Sequence, residues 1–244
     1  MALVQYTADN TIATITLSKP AQLNSFCRTL VAELHAALDR ADNDSVSHLV
    51  FRANGKGFSG GLDLSGLANE SDADLLERLV QIELLLQRVR HHRYSTMALV
   101  HGACYGAAAD LVLSCRVRIA DADARFLMPG LRFGIVLGSG RLRDTIGEAA
   151  AYRLLDRIKP FNAEEGLATG FVTAIAAQAA WPQVQAEHLH KVAQYTPEAY
   201  ARRRKRLTPD TRDADMAALV HSVVHSSIKQ RMQQYVAAMA AAKT

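Results

Sequence analysis

Gly57-Phe58-Ser59-Gly60-Gly61-Leu62-Asp63-Leu64 and His101-Gly102-Ala103-Cys104-Tyr105-Gly106-Ala107-Ala108-Ala109-Asp110-Leu111 decide how this chain is read. Each follows a short apolar run, His48-Leu49-Val50-Phe51-Arg52 or Met97-Ala98-Leu99-Val100, with the length and residue types of a strand. Each offers small residues where a backbone N–H can approach a ligand closely. Two N–H groups aimed at one oxygen stabilise negative charge on it. The pair of loops therefore points to chemistry at a carbonyl oxygen.

Outward from the loops, the pattern is that of alternating strands and helices. Thr11-Ile12-Ala13-Thr14-Ile15-Thr16-Leu17 alternates as a half-buried strand, and Asp9-Asn10 before it signals a turn, so residues 3–17 begin as a hairpin. Leu30, Leu34 and Leu38 recur at helical spacing and predict a helix over about 28–40. Asp72 or Asp74 can cap a helix reaching about residue 93, with Leu75, Leu79, Ile82 and Leu86 on one face. Residues 106–114 read as a small-residue helix, and Val117 and Ile119 lie in the next strand. This order implies parallel strands joined by crossovers. From about 181 the signals are helical, and Val220, Val224, Ile228, Met232 and Val236 predict a final alanine-rich helix.

Bulk properties narrow the classes. A chain of 244 residues, 49% hydrophobic and 21% charged, has an ordinary globular balance and can bury a core without metals or disulfides. Cys27, Cys104 and Cys115 show no paired or CxxC spacing, which favours a reducing, cytoplasmic setting over a disulfide framework. The N-terminus lacks the pattern of a signal peptide, and no run of about 18 apolar residues is present to span a membrane. Net charge is +4 with pI about 9.0. Much of the excess sits in Arg202-Arg203-Arg204-Lys205-Arg206, read either as a solvated helix face or as a site for phosphates. No zinc-finger spacing or aromatic-basic motif supports nucleic-acid binding. Gly102-Ala103-Cys104-Tyr105-Gly106 is not GxGxxG, so a dinucleotide-binding fold is set aside.

At the two loops the chain resembles the crotonase family, the enoyl-CoA hydratase/isomerase superfamily. Leu17-Ser18-Lys19-Pro20-Ala21-Gln22-Leu23-Asn24-Ser25 is similar to the family's early strand-to-helix signature. Arg118-Ile119-Ala120-Asp121-Ala122-Asp123-Ala124-Arg125-Phe126 and Pro160-Phe161-Asn162-Ala163-Glu164-Glu165-Gly166-Leu167-Ala168-Thr169-Gly170-Phe171-Val172 resemble later family segments in order. The likeness covers roughly residues 3–175. It implies an α/β fold, a crotonase-like spiral of β-β-α units over residues 1–180 holding a CoA-thioester pocket. Residues 181–244 then form a C-terminal helical subdomain that supports a homotrimer or a dimer of trimers. The implied work is enoyl-CoA hydratase or isomerase chemistry of fatty acid metabolism. The implied substrate is an acyl-CoA, with coenzyme A as part of it, no permanently bound cofactor and no metal.

By the same resemblance, the N–H groups of Leu62 and Ala107 form an oxyanion hole. Ala107 stands where the family usually has glycine. Leu23, Phe58, Ser59, Gly61 and Gly106 are implied to bind substrate or line the CoA path. Family hydratases use two glutamates. Asp110 stands at the first position, with a side chain about 1.5 Å shorter in reach. Gly130, in Phe126-Leu127-Met128-Pro129-Gly130-Leu131, stands at the second. A further acid used by family isomerases maps close to Gly138, again without a carboxylate.

Other proton carriers have blander readings. Asp63 reads as a capping residue, Asp144 as an exposed helix position, and His101 and Tyr105 as packing or hydrogen-bonding residues. Cys104 has no partner pattern of a nucleophile and reads as a small buried hydrophobe. Three functions fit the residues. The first is an enzyme stabilising an enolate-like intermediate with Asp110 as its acid. The second is an acyl-CoA-binding homologue that has lost proton transfer at Gly130, and the third a structural oligomer with a vestigial pocket.

Overall fold

A computed structural model describes residues 2–44 and 46–241. The chain opens as a hairpin of β1 (Val4–Asp9) and β2 (Ile12–Leu17), turned at Asn10 with φ 51°, a left-handed conformation that Asn tolerates. Helix α1 (Arg28–Asn43) buries Leu30, Leu34 and Leu38, as their spacing predicts. Strand β3 (His48–Ala53) leads through the first glycine loop to α2 (Asp72–Arg90). Then come β4 (Ser95–Val100), β5 (Ala103–Tyr105) and α3 (Ala107–Ser114). The next turn has β6 (Val117–Ala120), β7 (Arg125–Leu127), α4 (Ser139–Ile146) and α5 (Glu148–Leu155). Short β8 (Phe161–Asn162), α6 (Ala163–Thr169) and β9 (Ala174–Ile175) follow. Four helices end the chain: α7 (Trp181–Val192), α8 (Pro197–Leu207), α9 (Arg212–Val224) and α10 (Ile228–Ala241).

The strands divide between two sheets. The larger runs β1-β2-β3-β4-β6-β9 and is parallel except for the hairpin. The smaller runs β5-β7-β8. Successive chain turns therefore give one strand to the large sheet, one to the small sheet and then a helix: β4, β5, α3, and again β6, β7, α4. This is the expected β-β-α spiral. Strand β4 is buried along its whole length, as a parallel strand covered on both faces should be. Under the small sheet Phe126, Phe161 and Phe171 pack with ring centroids 5.1–5.4 Å apart. The segment around Asn162 is a helix start, since Asn162 Oδ1 accepts the Glu165 N–H at 2.8 Å and Glu165 Oε2 accepts the Asn162 N–H at 3.1 Å.

Two local expectations are corrected. Ser71, not Asp72 or Asp74, caps α2: its hydroxyl accepts the Asp74 N–H at 3.1 Å while Asp74 Oδ2 accepts the Ser71 N–H at 2.9 Å. Asp74 thus closes a capping box as the third helical residue. Asp72 instead serves the tail, where its Oδ1 accepts the Lys229 N–H at 2.8 Å. The second correction is that the final apolar repeat spans two helices. The helix ends at Val224 and a new one begins at Ile228, where Ser227 Oγ and Asp72 cap the start of α10.

The tail helices pack on the preceding residues. Leu219, Val223, Ile228 and Met232 form one apolar cluster with Leu67, Leu75, Leu79 and Ile135. Trp181 packs with Val50, Met97, Leu99 and Ile119 beside the large sheet. Arg204 is buried, and its guanidinium donates to Arg90 O at 2.7 Å and Thr96 Oγ1 at 3.2 Å. Its neighbour Arg203 lies over the Tyr195 and Tyr200 rings. At these two positions the basic run anchors α8.

Candidate active site

The first glycine loop is held by the early motif. Asn24, wholly buried and at φ 48°, donates from Nδ2 to the carbonyls of Asn54 and Phe58 at 2.9 and 3.0 Å. Its Oδ1 accepts the Lys19 N–H at 2.8 Å. Ser59 Oγ donates to Asn24 O at 2.8 Å and accepts the Gly61 N–H at 3.1 Å. Phe26 then pairs beside Leu62 as in a parallel ladder: Phe26 N–H donates to Gly61 O at 2.7 Å and Asp63 N–H to Phe26 O at 3.2 Å. Alternate peptide groups of an extended segment face opposite ways. The Leu62 N–H is consequently turned away from Phe26.

The second loop lies against the first. Ser59 N–H donates to Ala103 O and Tyr105 N–H to Ser59 O, both at 3.0 Å, which stitches the loops together. Gly61, at φ 83°, fits closely: a Cβ added there would run into Tyr105 O and lie 3.5 Å from the Ala107 nitrogen. Gly106 N–H donates to Leu127 O at 2.8 Å, and Ala107 begins α3 without a side-chain cap. The first N–H groups of a helix have no intrahelical acceptor, and they sit at its positive end. Among the described residues, no hydrogen bond accepts the N–H of Leu62 or of Ala107. Both residues line a cavity of about 580 Å³, with Gly106 and Asp110 beside them. Its remaining wall is largely apolar, including Leu64, Leu79, Ile135 and Leu137, and α10 adds Tyr235 and Met239.

Asp110 lies on α3 one turn beyond Ala107 and is 3% exposed. Among the described residues its Oδ1 accepts no hydrogen bond. Burial pushes its carboxyl up to about 8. The Arg141 charge opposes this rise, and the Glu83 and Asp215 charges add to it. A carboxyl so placed is mostly neutral at pH 7 and is a stronger base than usual once ionised. Gly138, at φ 72°, stands against it, and a Cβ there would overlap Asp110 Oδ1. Gly130 also lines the cavity but brings no carboxylate. Of Asp110 and Gly130, only Asp110 brings a carboxyl to the cavity.

The other candidates occupy different places. Phe58 and Ser59 are completely buried, so their side chains shape the first loop and do not line this cavity. Leu23, at φ 46°, covers the same loop, with its side chain 3.2 Å from a Cβ added at Gly57. Asp63 pairs with Lys19 at 2.7 Å. Burial pushes the Asp63 carboxyl up, but bonds from Lys19, Ser65 and Ser25 outweigh it and hold it well below its usual range. Asp144 pairs with Arg143 at 2.9 Å and lies outside the cavity. His101 Nε2 donates to Gly55 O at 2.8 Å. Burial pushes the Cys104 thiol well up, the opposite of an activated nucleophile. Tyr105 does line the cavity. The sequence reading missed Arg141, which is 2% exposed and forms an ion pair with Glu83 behind Asp110. Among the described residues no cluster of three or more His, Cys, Asp or Glu is arranged to hold a metal, and no helix is long and apolar enough to cross a membrane.

A β-β-α spiral whose two glycine loops meet at one apolar cavity defines the crotonase class of fold. The chain belongs to the enoyl-CoA hydratase/isomerase family, whose profile matches residues 7–239. It is 37% identical to a Bordetella parapertussis protein assigned to the enoyl-CoA hydratase/isomerases. That crystal structure superposes with a TM-score of 0.94 over 97% of this chain and 99% of the other. It is also 32% identical to the trans-2-decenoyl-[acyl-carrier-protein] isomerase of Streptococcus mutans, over 69% of this chain and 67% of that protein. Against a "probable enoyl-CoA hydratase" of Bacillus subtilis it is 29% identical, over 71% of this chain and 69% of the relative.

Proposed function

We propose that the protein moves the double bond of an enoyl-CoA thioester. The N–H groups of Leu62 and Ala107 hold the thioester oxygen as it gains negative charge, an arrangement worth about 3 kcal/mol per donor in related chemistry. The ionised form of Asp110, the minor species at pH 7, takes a proton from the carbon next to the carbonyl of a 3-enoyl thioester, leaving a dienolate. It returns that proton to the far end of the dienolate, which leaves the 2-enoyl product and a carboxylate as at the start. Coenzyme A enters as part of the substrate, and no bound cofactor takes part. Gly61 and Gly106 let the loops close on the thioester, while Leu23, Phe58 and Ser59 support the first loop from behind.

The observation that carries this reading is the lone carboxyl. Hydration needs one group to activate water and another to deliver a proton to the neighbouring carbon. Asp110 lines the cavity, whereas Gly130 and Gly138 carry no proton. A shuttle needs only one such group. Mixing the protein with 3-enoyl-CoA esters of graded chain length and following the absorbance of the conjugated product tests it. Turnover is expected, with a loss of roughly 10²–10⁴-fold for Asp110→Ala. No turnover at any chain length sinks the reading. Gly130 motivates a second one, a catalytically impaired acyl-CoA-binding homologue, for which calorimetry would find affinity without catalysis. We propose further that the chain assembles as a homotrimer or a dimer of trimers.

A further inference from the structure

Arg141 lies deep in the protein, yet it is a full guanidinium. Its Nη1 donates to Glu83 Oε1 at 2.7 Å and its Nη2 to Glu83 Oε2 at 2.6 Å. Nη1 also lies 3.4 Å from Asp215 Oδ2. Side-chain exposures are 2% for Arg141, 1% for Glu83 and 13% for Asp215. Charges removed from water are costly to assemble, and apolar residues of the same volume often serve stability equally well. These three come from three helices, α4, α2 and α9. Stability alone therefore gives weak reason for them.

Their placement supplies a better one. Gly138 is the N-cap of α4, and the space its missing side chain leaves is filled by Asp110 Oδ1. Arg141 follows three residues later in the first turn of that helix. Helix α3, which carries Asp110, packs on both α2 and α4. The charged groups bearing on Asp110 are Arg141 from α4, Glu83 from α2 and Asp215 from α9. From β5 it faces the Cys104 thiol, which burial keeps neutral. Arg141 favours the Asp110 anion, whereas Glu83 and Asp215 favour its protonated form, so the balance among the three bears on its proton.

We propose that Arg141, Glu83 and Asp215 are positioning residues that fix the charge facing Asp110, so that α9 of the C-terminal region helps set how firmly Asp110 holds its proton. This rests on the proton-carrying role proposed for Asp110. The raised proton affinity of that carboxyl agrees with it. Removing either carboxylate leaves the Arg141 charge less compensated and stabilises the Asp110 anion. Removing Arg141 does the reverse.

The test reads Asp110 directly in the substrate-free protein. Infrared difference spectra against Asp110→Asn, recorded across pH, isolate the carbonyl stretch of the protonated Asp110 carboxyl. Asp215→Asn keeps the shape and removes the charge, and with 13% side-chain exposure against 1% for Glu83 it is the variant less exposed to misfolding. It is expected to lower the Asp110 midpoint by about one pH unit, and Glu83→Gln by more. Arg141→Met is expected to raise it. A midpoint in Asp215→Asn that coincides with the wild type overturns the proposal. Because the spectra need no substrate, the two readings fail separately. Absent turnover with a shifted midpoint removes the isomerase alone, whereas intact turnover with an unmoved midpoint removes the charge cluster alone.

Discussion

At the scale of single residues, Asp110 holds the largest consequence for the protein's response to pH. Its carboxyl is pushed by burial to about 8 in the folded chain, against a usual value of 3.8. Between those values the folded protein binds a proton that the unfolded chain has released. Stability therefore falls as pH rises through this window, and the loss is complete above the folded value. Asp110→Asn keeps the volume and removes the charge. The melting temperature of this variant relative to wild type should rise between pH 5 and pH 9, by about 2–4 °C for each kcal/mol. Thermal melts at the two pH values check this, and an equal difference at both would show that Asp110 ionises normally. The identity of Asp110 was readable from its place after the second glycine loop. Its environment was not, because Arg141 and Glu83 are charged residues that a sequence reading assigns to the surface.

At the scale of elements, the start of α3 is where local structure and chemistry coincide. Ala107 is the first helical residue, and its N–H has no acceptor within the protein among the described residues. Proline is tolerated at that position because its missing N–H is one the helix does not use. The residue before a proline must avoid the α region, and Gly106 does so with φ 53° and ψ −126°. Ala107→Pro should thus leave the fold and its melting temperature nearly unchanged while deleting one donor to the thioester oxygen. A fall in kcat of roughly 10²–10³-fold is expected. A variant that folds and turns over like wild type would remove Ala107 from the mechanism. The strands before the glycine loops were legible as short apolar runs, α1 from its leucine spacing and α3 from its run of small residues after the second loop. The cap of α2 was misplaced because Ser71, Asp72 and Asp74 are all good capping residues, and only the closed capping box distinguishes them. The break before α10 was missed for a related reason. Apolar residues on both sides keep nearly helical spacing, while the break is made by Ser227 and by Asp72 from a distant helix.

At the scale of the whole molecule, the tail is part of the cavity's wall and this ties chain length to specificity. Helix α10 is anchored through Ile228 and Met232 in the cluster with Leu75 and Leu79, and it presents Tyr235 and Met239 to the cavity. The two N–H groups and Asp110 belong to the other wall, built from the glycine loops and α3. The reacting end of a thioester would lie at that first wall, and its apolar chain would run along the side that α10 helps to close. A change at Met239 should then alter how the chain is held without touching the groups that move charge. Met239 is 40% exposed, so a polar substitution there is compatible with folding. Met239→Glu places a charge beside the path of an apolar chain and removes contact that exists equally in ground state and transition state. Loss of such uniform binding raises KM and leaves kcat in place. With about 0.8 kcal/mol for each buried methylene, losing contact to two or three methylenes raises KM roughly 10–60-fold for long esters. The shortest esters, which do not reach α10, should be unaffected. Steady-state kinetics across chain lengths measures this, and a KM change that is the same for short and long esters would place the acyl chain elsewhere.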